Sequence, residues 1–491
     1  MQEKKEEISM IINREKYLDK LHACWLGKSI GGTLGAPYEG SRDFLDVKGF
    51  TTKFGEPVPN DDLDLQLVWL CALEREGANN MSSNVLAEYW LGWIAPHWNE
   101  YGIAKTNLAL GLLPPMSGEV DNEKWKTSNG AWIRSEIWAG LTPGVADLAV
   151  KYAIMDATVD HGINEGTYAE MYTAALESLA YVYDDLRLII DKALSYIPKS
   201  SIIAKTVRFV IECYDSGVEY AVAREKVVEF TKDLGWFQAP NNLGFVTIGL
   251  LYGEGDFKKS ILYAVNCGDD TDCTAGTVGA ILGIMGGTKA IPEDYKEFVG
   301  DGIVTMSING SYFWLLPKTC SELTQRVYKL VPEIMKANVV DFEFTDEIIE
   351  EKEDFMPFFK KKALEVLERS PYSYKIDNYR QYSLIVELDK SPRVKSGEER
   401  KVTLTFEANF RLGETKKLKV KILPPPTWTV GDYQKTVSVD YPQHAHGLWG
   451  MKSIDFTVTV GEDVQAVNKI HVEVTTETIP YPMIFPIMMI G

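Results

Sequence analysis

Basic residues are in short supply. The chain carries 51 Lys and Arg against 70 Asp and Glu, a formal net charge of −19. Holding a phosphate backbone needs a basic footprint, so nucleic acid is excluded as a partner. An anionic membrane surface is excluded on the same ground. A small anionic ligand is not, because a pocket or a bound cation reverses the local field. Long apolar runs are also missing. None is long enough to span a bilayer, and residues 481–490 are apolar but short and broken by Pro482 and Pro486. The first 20 residues are charged, with only 8–12 apolar, so no secretory leader is expected. The six cysteines (24, 71, 213, 267, 273 and 320) lack zinc-type spacing. They read as reduced, mostly buried thiols of a cytoplasmic protein. No internal repeat is evident.

At 491 residues and 45% hydrophobic content, the chain is too long for one core, and at least two domains are expected. The most informative stretch is 266–287. It opens with Asp269, Asp270 and Asp272 and continues small, apolar and uncharged. Ala275, Gly276, Gly279, Ala280 and Gly283 follow 3- and 4-residue spacing. That spacing predicts a buried helix with one nearly bare face, against which a second helix packs closely. Glycine inside a helix costs about 1 kcal/mol against alanine, so its repetition points to a packing reason. Thr271 or Asp272 is expected as the N-cap. Carboxylates this close repel unless a cation neutralises them, and Asp-rich oxygen clusters suit Mg²⁺, Mn²⁺ or Ca²⁺.

Residues 15–35 predict a helix closing in a glycine-rich turn at Gly27, Gly31, Gly32 and Gly35. Pro37 then stops it, and Glu39 follows in a loop. A second acidic cluster, Asn60-Asp61-Asp62, lies at a helix start in residues 59–75. These are good N-cap types, and acids in a first turn are commonly just dipole partners. Two such clusters at buried helix mouths can instead form one two-metal site. Residues 82–115 look helical and 117–127 read as a loop. The Asn129-Gly130 pair before a helix could present backbone N–H groups to a phosphate or be a plain turn. Helices are expected over 143–158 and 166–183, and a helical pattern over 200–340 with breaks at 235–244 and 253–256. His161 at a helix end reads more readily as structural than catalytic.

From about residue 372 the period becomes two. Residues 382–388, 402–410, 418–422, 437–439, 454–460 and 470–474 alternate apolar and polar, with turn residues between them. This predicts a C-terminal antiparallel β-sandwich of immunoglobulin-like size. With no cysteine there, it is not pinned by a disulfide. The expected division is a helical domain over 1–370 and the sandwich over 371–491, with 341–354 helical near the join. His444 and His446 read as a solvated loop before a metal site.

These segments together resemble the ADP-ribosylglycohydrolase family, including the dinitrogenase-reductase activating glycohydrolases, over about residues 15–340. The matching pieces are Gly35-Ala36-Pro37-Tyr38-Glu39, Asn60-Asp61-Asp62, Gly130-Ala131-Trp132-Ile133-Arg134, Asp160-His161 and Asp270-Thr271-Asp272-Cys273. The resemblance implies an all-α domain with two divalent cations, Mg²⁺ or Mn²⁺, in a central cleft. Asn60, Asp61, Asp62 and Asp272 would hold one ion, and Asp270, Asp272 and Cys273 the other. Glu39 would lie in a mobile loop near them. Gly130 and Ala131 would meet a diphosphate, with Arg134 and His161 in the same substrate site. Two positions depart from the family's threonines. Asn60 offers an amide oxygen in place of a hydroxyl. Cys273 offers a sulfur, a poor partner for Mg²⁺, with Thr274 or water as the alternative.

The activity so implied is hydrolysis of a glycosidic bond to ADP-ribose or a related ribosyl group, with Glu39, Asp61 or Asp62 as the catalytic carboxylate. The alternatives are another glycosyl or nucleoside substrate on the same scaffold, or a non-catalytic, crystallin-like protein. The five acids Glu39, Asp61, Asp62, Asp270 and Asp272 speak against the last. The partner expected is a small-molecule or protein-linked ADP-ribosyl substrate, and an oligomer is possible.

Overall fold

The computed structural model describes residues 9–347, 364–376, 382–408, 416–439, 451–477 and 479–491. Two compact units divide the chain: residues 1–105 with 122–365, and residues 106–121 with 366–491.

Among its described residues the first unit is helical apart from one small sheet. Its centre is a helix pair, Arg14–Gly35 against Thr271–Gly286. The expected bare face is real, and its contacts are backbone to backbone. A Cβ on Gly27 would lie 2.1 Å from the Gly279 carbonyl oxygen, one on Gly31 2.1 Å from that of Ala275, and one on Gly35 2.3 Å from that of Thr271. Real Cβ atoms do not approach that closely, so only glycine lets the two axes meet. The four glycines expected in a turn therefore lie inside the helix, which runs through Gly35. Tertiary packing offsets their poor helix propensity.

The Asp61–Glu76 helix is capped by Asn60, whose Oδ1 accepts from the Asp62 amide at 2.7 Å. The helices expected over 143–158 and 166–183 are Ala146–His161 and Glu165–Ala180. Residues expected to break the pattern near 240 begin the Ala239–Tyr252 helix, with Pro240 in its first turn, where proline is tolerated. The N-cap of the Thr271–Gly286 helix is Asp270, with no side-chain capping bond, rather than Thr271 or Asp272. The expected helix at 341–354 is also corrected. Asp341–Thr345 is a strand, paired in parallel with Ser9–Asn13. Its sequence, Asp-Phe-Glu-Phe-Thr, alternates polar and aromatic residues, a period-2 signal. Residues 348–354 lie outside the described residues.

The second unit holds two antiparallel sheets. One orders Ile479–Ile490, Val467–Thr476, Lys416–Leu423 and Gln434–Val439; the other orders Ser373–Ile376, Tyr382–Leu388, Glu399–Ala408, Met451–Thr459 and Thr429–Val430. The alternation sets the register: Leu384 opposes Phe406, Val402 opposes Phe456 and Val472 opposes Ile422. All six side chains are buried in one core. Residues 479–490 add a strand, with Pro486 opposite His471. It lies at the sheet edge, where proline need not donate to a further neighbour. Leu112, Met116 and Val120 enter the same core, and Asp121 pairs with Arg393, Oδ1 to Nε, at 2.9 Å. His444 and His446 lie outside the described residues. No helix among the described residues is long and apolar enough to cross a membrane.

Candidate metal centre

The glycine-faced helix pair brings the loop after Gly35 beside the mouth of the Thr271–Gly286 helix. Gly40 N donates to the Asp269 carbonyl at 2.8 Å, and Asp269 N to Ser41 O at 2.6 Å. Thr271 Oγ1 donates to Gly35 O at 2.8 Å. The Asp61–Glu76 helix mouth meets the same place: the Cys273 thiol donates to Asp62 Oδ1 at 3.0 Å. Asp62, Asp272 and Cys273 can each offer one ligand atom with all three within 4.8 Å of one another. Glu39, Asp270 and Asp272 form a second such set. Asp272 belongs to both.

Electrostatics at this site are set first by burial and then by the crowding of like charges. Burial, then the charge of Asp62, pushes the Asp270 carboxyl up to about 7. Asp272 is raised well above the carboxylate range by burial and then by Asp270 and Asp62. Glu39 is exposed but partly desolvated, and that, followed by Asp62, raises it too. Asp61 is partly buried, and its carboxyl is raised by desolvation and by Asp62 and Asp270. Oδ1 of Asp270 and Oδ1 of Asp272 are buried with no hydrogen-bond partner among the described residues. Buried polar atoms are ordinarily paired, so orphaned carboxylate oxygens facing such repulsion fit a site built for cations.

Two side chains hold these acids from behind. Asn129 Nδ2 donates to Asp270 Oδ2 at 2.6 Å, and Trp132 Nε1 fixes the amide through Asn129 Oδ1 at 3.0 Å. Lys28 Nζ sits 3.2 Å from Asp62 Oδ2 and 2.8 Å from Glu136 Oε1, and donates to Ile133 O at 2.7 Å. Burial alone would lower this lysine, but Asp62 and Glu136 outweigh it and keep the ammonium charged. Gln66 ties the pair together, donating to Glu136 Oε2 at 2.8 Å and to Asp62 O at 3.0 Å. Sequence reasoning missed Lys28. Its signal is a lone cation in the uncharged run from Ala23 to Tyr38, and a buried charge of that kind requires a partner.

The other expected site residues form a separate buried block joined to the acids through Asn129. Gly130 and Ala131 are buried, and a Cβ on Gly130 would fall 2.2 Å from Glu100 Oε1. Arg134 is fully buried. Its guanidinium donates to Asp156 at 3.0 Å, to both Asp160 oxygens at 3.0 and 2.8 Å, and to the Gly130 carbonyl. That use of its donors makes it the clamp on the Gly130 backbone. His161 is also fully buried, with Nδ1 3.1 Å from Asp160 and Nε2 3.2 Å from Ser128 Oγ. Burial alone would raise Asp160, but Arg134 and His161 overcome it and bring the carboxyl down to about 2. Asn60 uses its oxygen as a helix cap, while its amide nitrogen is buried without a partner among the described residues.

The family model for ADP-ribosylglycohydrolases matches residues 13–329, which contain every residue of the metal centre. An uncharacterized protein of Archaeoglobus fulgidus is 25% identical over 306 residues, spanning 58% of this chain and 92% of that one. A solved structure described as an ADP-ribosylglycohydrolase-related protein complex is similar at 20% identity and a TM-score of 0.41, covering 65% of this chain and 99% of that one.

Proposed function

The chain belongs to the ADP-ribosylglycohydrolase family, and on that footing we propose that it is a divalent-metal-dependent hydrolase cleaving a glycosidic bond to ADP-ribose or a related ribosyl group. One observation supports this best. Two acidic helix mouths far apart in sequence meet in a single buried cluster, with oxygens of Asp270 and Asp272 left unpartnered. Asp62, Asp272 and Cys273 would hold one ion, and Glu39, Asp270 and Asp272 the other, with Asn60 and Asp61 beside them. Bound Mg²⁺ or Mn²⁺ would neutralise the acids and polarise the ribosyl oxygens.

The chain's own residues supply the rest. Glu39 is exposed, and burial of part of its carboxyl followed by the charge of Asp62 raises it above the usual carboxylate range, which suits a general base in contact with water. Asp61 and Asp62 are the other candidates for that role. Lys28 and Asn129 hold Asp62 and Asp270 in fixed orientations, so the ligand set is organised before substrate arrives. Asn129 ties the Gly130-Ala131 pair to the acids, and that pair would meet the substrate's diphosphate. Arg134 and His161 belong to that region as its supports.

The test uses the Asp270→Ala, Asp272→Ala double variant with Mn²⁺ calorimetry and turnover of an ADP-ribosylated peptide. Both binding and turnover are expected to disappear. Mn²⁺ binding equal to the wild type would show the site assignment to be wrong. Mn²⁺ binding by the wild type with no turnover of ADP-ribosyl, nucleoside or glycoside substrates would refute the enzymatic reading.

A further inference from the structure

We propose that the Cys273 sulfur is itself a metal ligand, and that it makes the Asp62–Asp272–Cys273 position take a transition-metal ion in preference to Mg²⁺. The proposal rests on the metal-dependent reading above and names the class of ion for one of its two positions.

Three observations carry it. The Cys273 side chain is turned to the acids, with Sγ 3.0 Å from Asp62 Oδ1 and within 4.8 Å of a ligand oxygen of Asp272. Cys273 and Asp272 are only 5% and 6% exposed, and Asp62 is fully buried. Asp272 Oδ1 has no hydrogen-bond partner among the described residues, and Asp62 Oδ2 meets Lys28 only as an ion pair. A tetrahedral ion with a metal–sulfur bond of about 2.3 Å and metal–oxygen bonds of about 2.1 Å sets sulfur and oxygen about 3.6 Å apart. That spacing is within sub-ångström adjustment of the pair seen here. Sulfur is a soft donor and Mg²⁺ a hard cation that dehydrates reluctantly, so a thiolate turns selectivity away from Mg²⁺. On binding, the S–H bond breaks, a sulfur–metal bond forms and the proton leaves to the buffer.

The probe is Co²⁺, titrated anaerobically into the metal-stripped full-length chain. The expected wild-type spectrum shows visible d–d bands together with a near-ultraviolet sulfur-to-cobalt charge-transfer band. Cys273→Ser is expected to keep the d–d bands and lose the charge-transfer band. The other five cysteines are intact in that variant and serve as its internal control. Cys273→Thr is a second variant should the serine protein fold poorly. In competition, either variant should narrow the preference for Co²⁺ over Mg²⁺, because the soft donor is gone, and by no less than the about tenfold in affinity that loss of even an outer-shell partner costs. Wild-type d–d bands without a charge-transfer band would overturn the sulfur ligand and leave the metal centre standing. So would a band that survives in Cys273→Ser. Failure of the wild type to bind cobalt at all would overturn both readings.

Discussion

Replacing Gly31 by alanine is the most direct perturbation of the helix pair that builds the site. The new Cβ would lie 2.1 Å from the Ala275 carbonyl oxygen, where ordinary contact begins at 3.4 Å. The two helices must part by the difference, about 1.3 Å, because the obstacle is backbone and cannot rotate away. Overpacking of this kind typically costs about 1–3 kcal/mol, and a carbonyl places it at the upper end. Alanine returns up to ~1 kcal/mol of helix propensity, leaving a net loss of about 2 kcal/mol. Gly92 is the matched control. It lies in the Ser83–Trp93 helix, is exposed, and a Cβ there meets nothing within 4 Å. Gly92→Ala should therefore stabilise, by a few tenths to ~1 kcal/mol. Urea unfolding followed by helix circular dichroism would compare the two. Because Gly35, one turn on, packs against Thr271, parting the helices also moves Asp270 and Asp272 away from Asp62. Mn²⁺ affinity should fall in Gly31→Ala and stay unchanged in Gly92→Ala. A Gly31→Ala protein as stable as the wild type would refute the claim that bare backbone contact holds the pair.

Two further outcomes follow from the electrostatics. Without cations, Asp270 keeps its proton in the folded state up to about pH 7, whereas the unfolded chain releases it near pH 3.9. The folded state binds more protons in that window, so stability should fall as pH rises from 4 to 7, by up to about 1.4 kcal/mol per unit. Asp160, held at about 2, loses its contribution only below pH 4 and does not interfere. Melting with chelator should therefore be lower at pH 8 than at pH 5, with Mn²⁺ restoring it; the opposite slope would contradict a carboxyl raised by burial and by Asp62. Lys28→Met removes the ammonium shared by buried Asp62 and Glu136 and should destabilise by about 3–5 kcal/mol in denaturant unfolding. Adding Glu136→Gln should recover part of that loss, and no recovery would argue against the shared ion pair.

Local period made much of this legible in one dimension. The apolar alternation of 382–388 and 402–406 appears as paired strands, and the small-residue face of 275–283 appears as the helix contact. Each depends on spacing within one segment. Residues 479–490 escaped because Pro482 and Pro486 argue against an interior strand, and only the sheet order shows that this strand sits at an edge. The run 106–121 was equally opaque: nothing local to Leu112, Met116 or Val120 says which core takes them.

The sequence by itself determined that two acidic clusters open two buried helices, because capping residues and helical spacing are properties of neighbours along the chain. It also determined, through its glycines, that one helix could touch another backbone to backbone. Only the tertiary structure decided that Cys273 meets Asp62 across 211 positions, that Lys28 stands between Asp62 and Glu136, and that Arg134 turns inward to clamp Gly130. Those distances are set by packing between segments, and no period read along a single segment contains them.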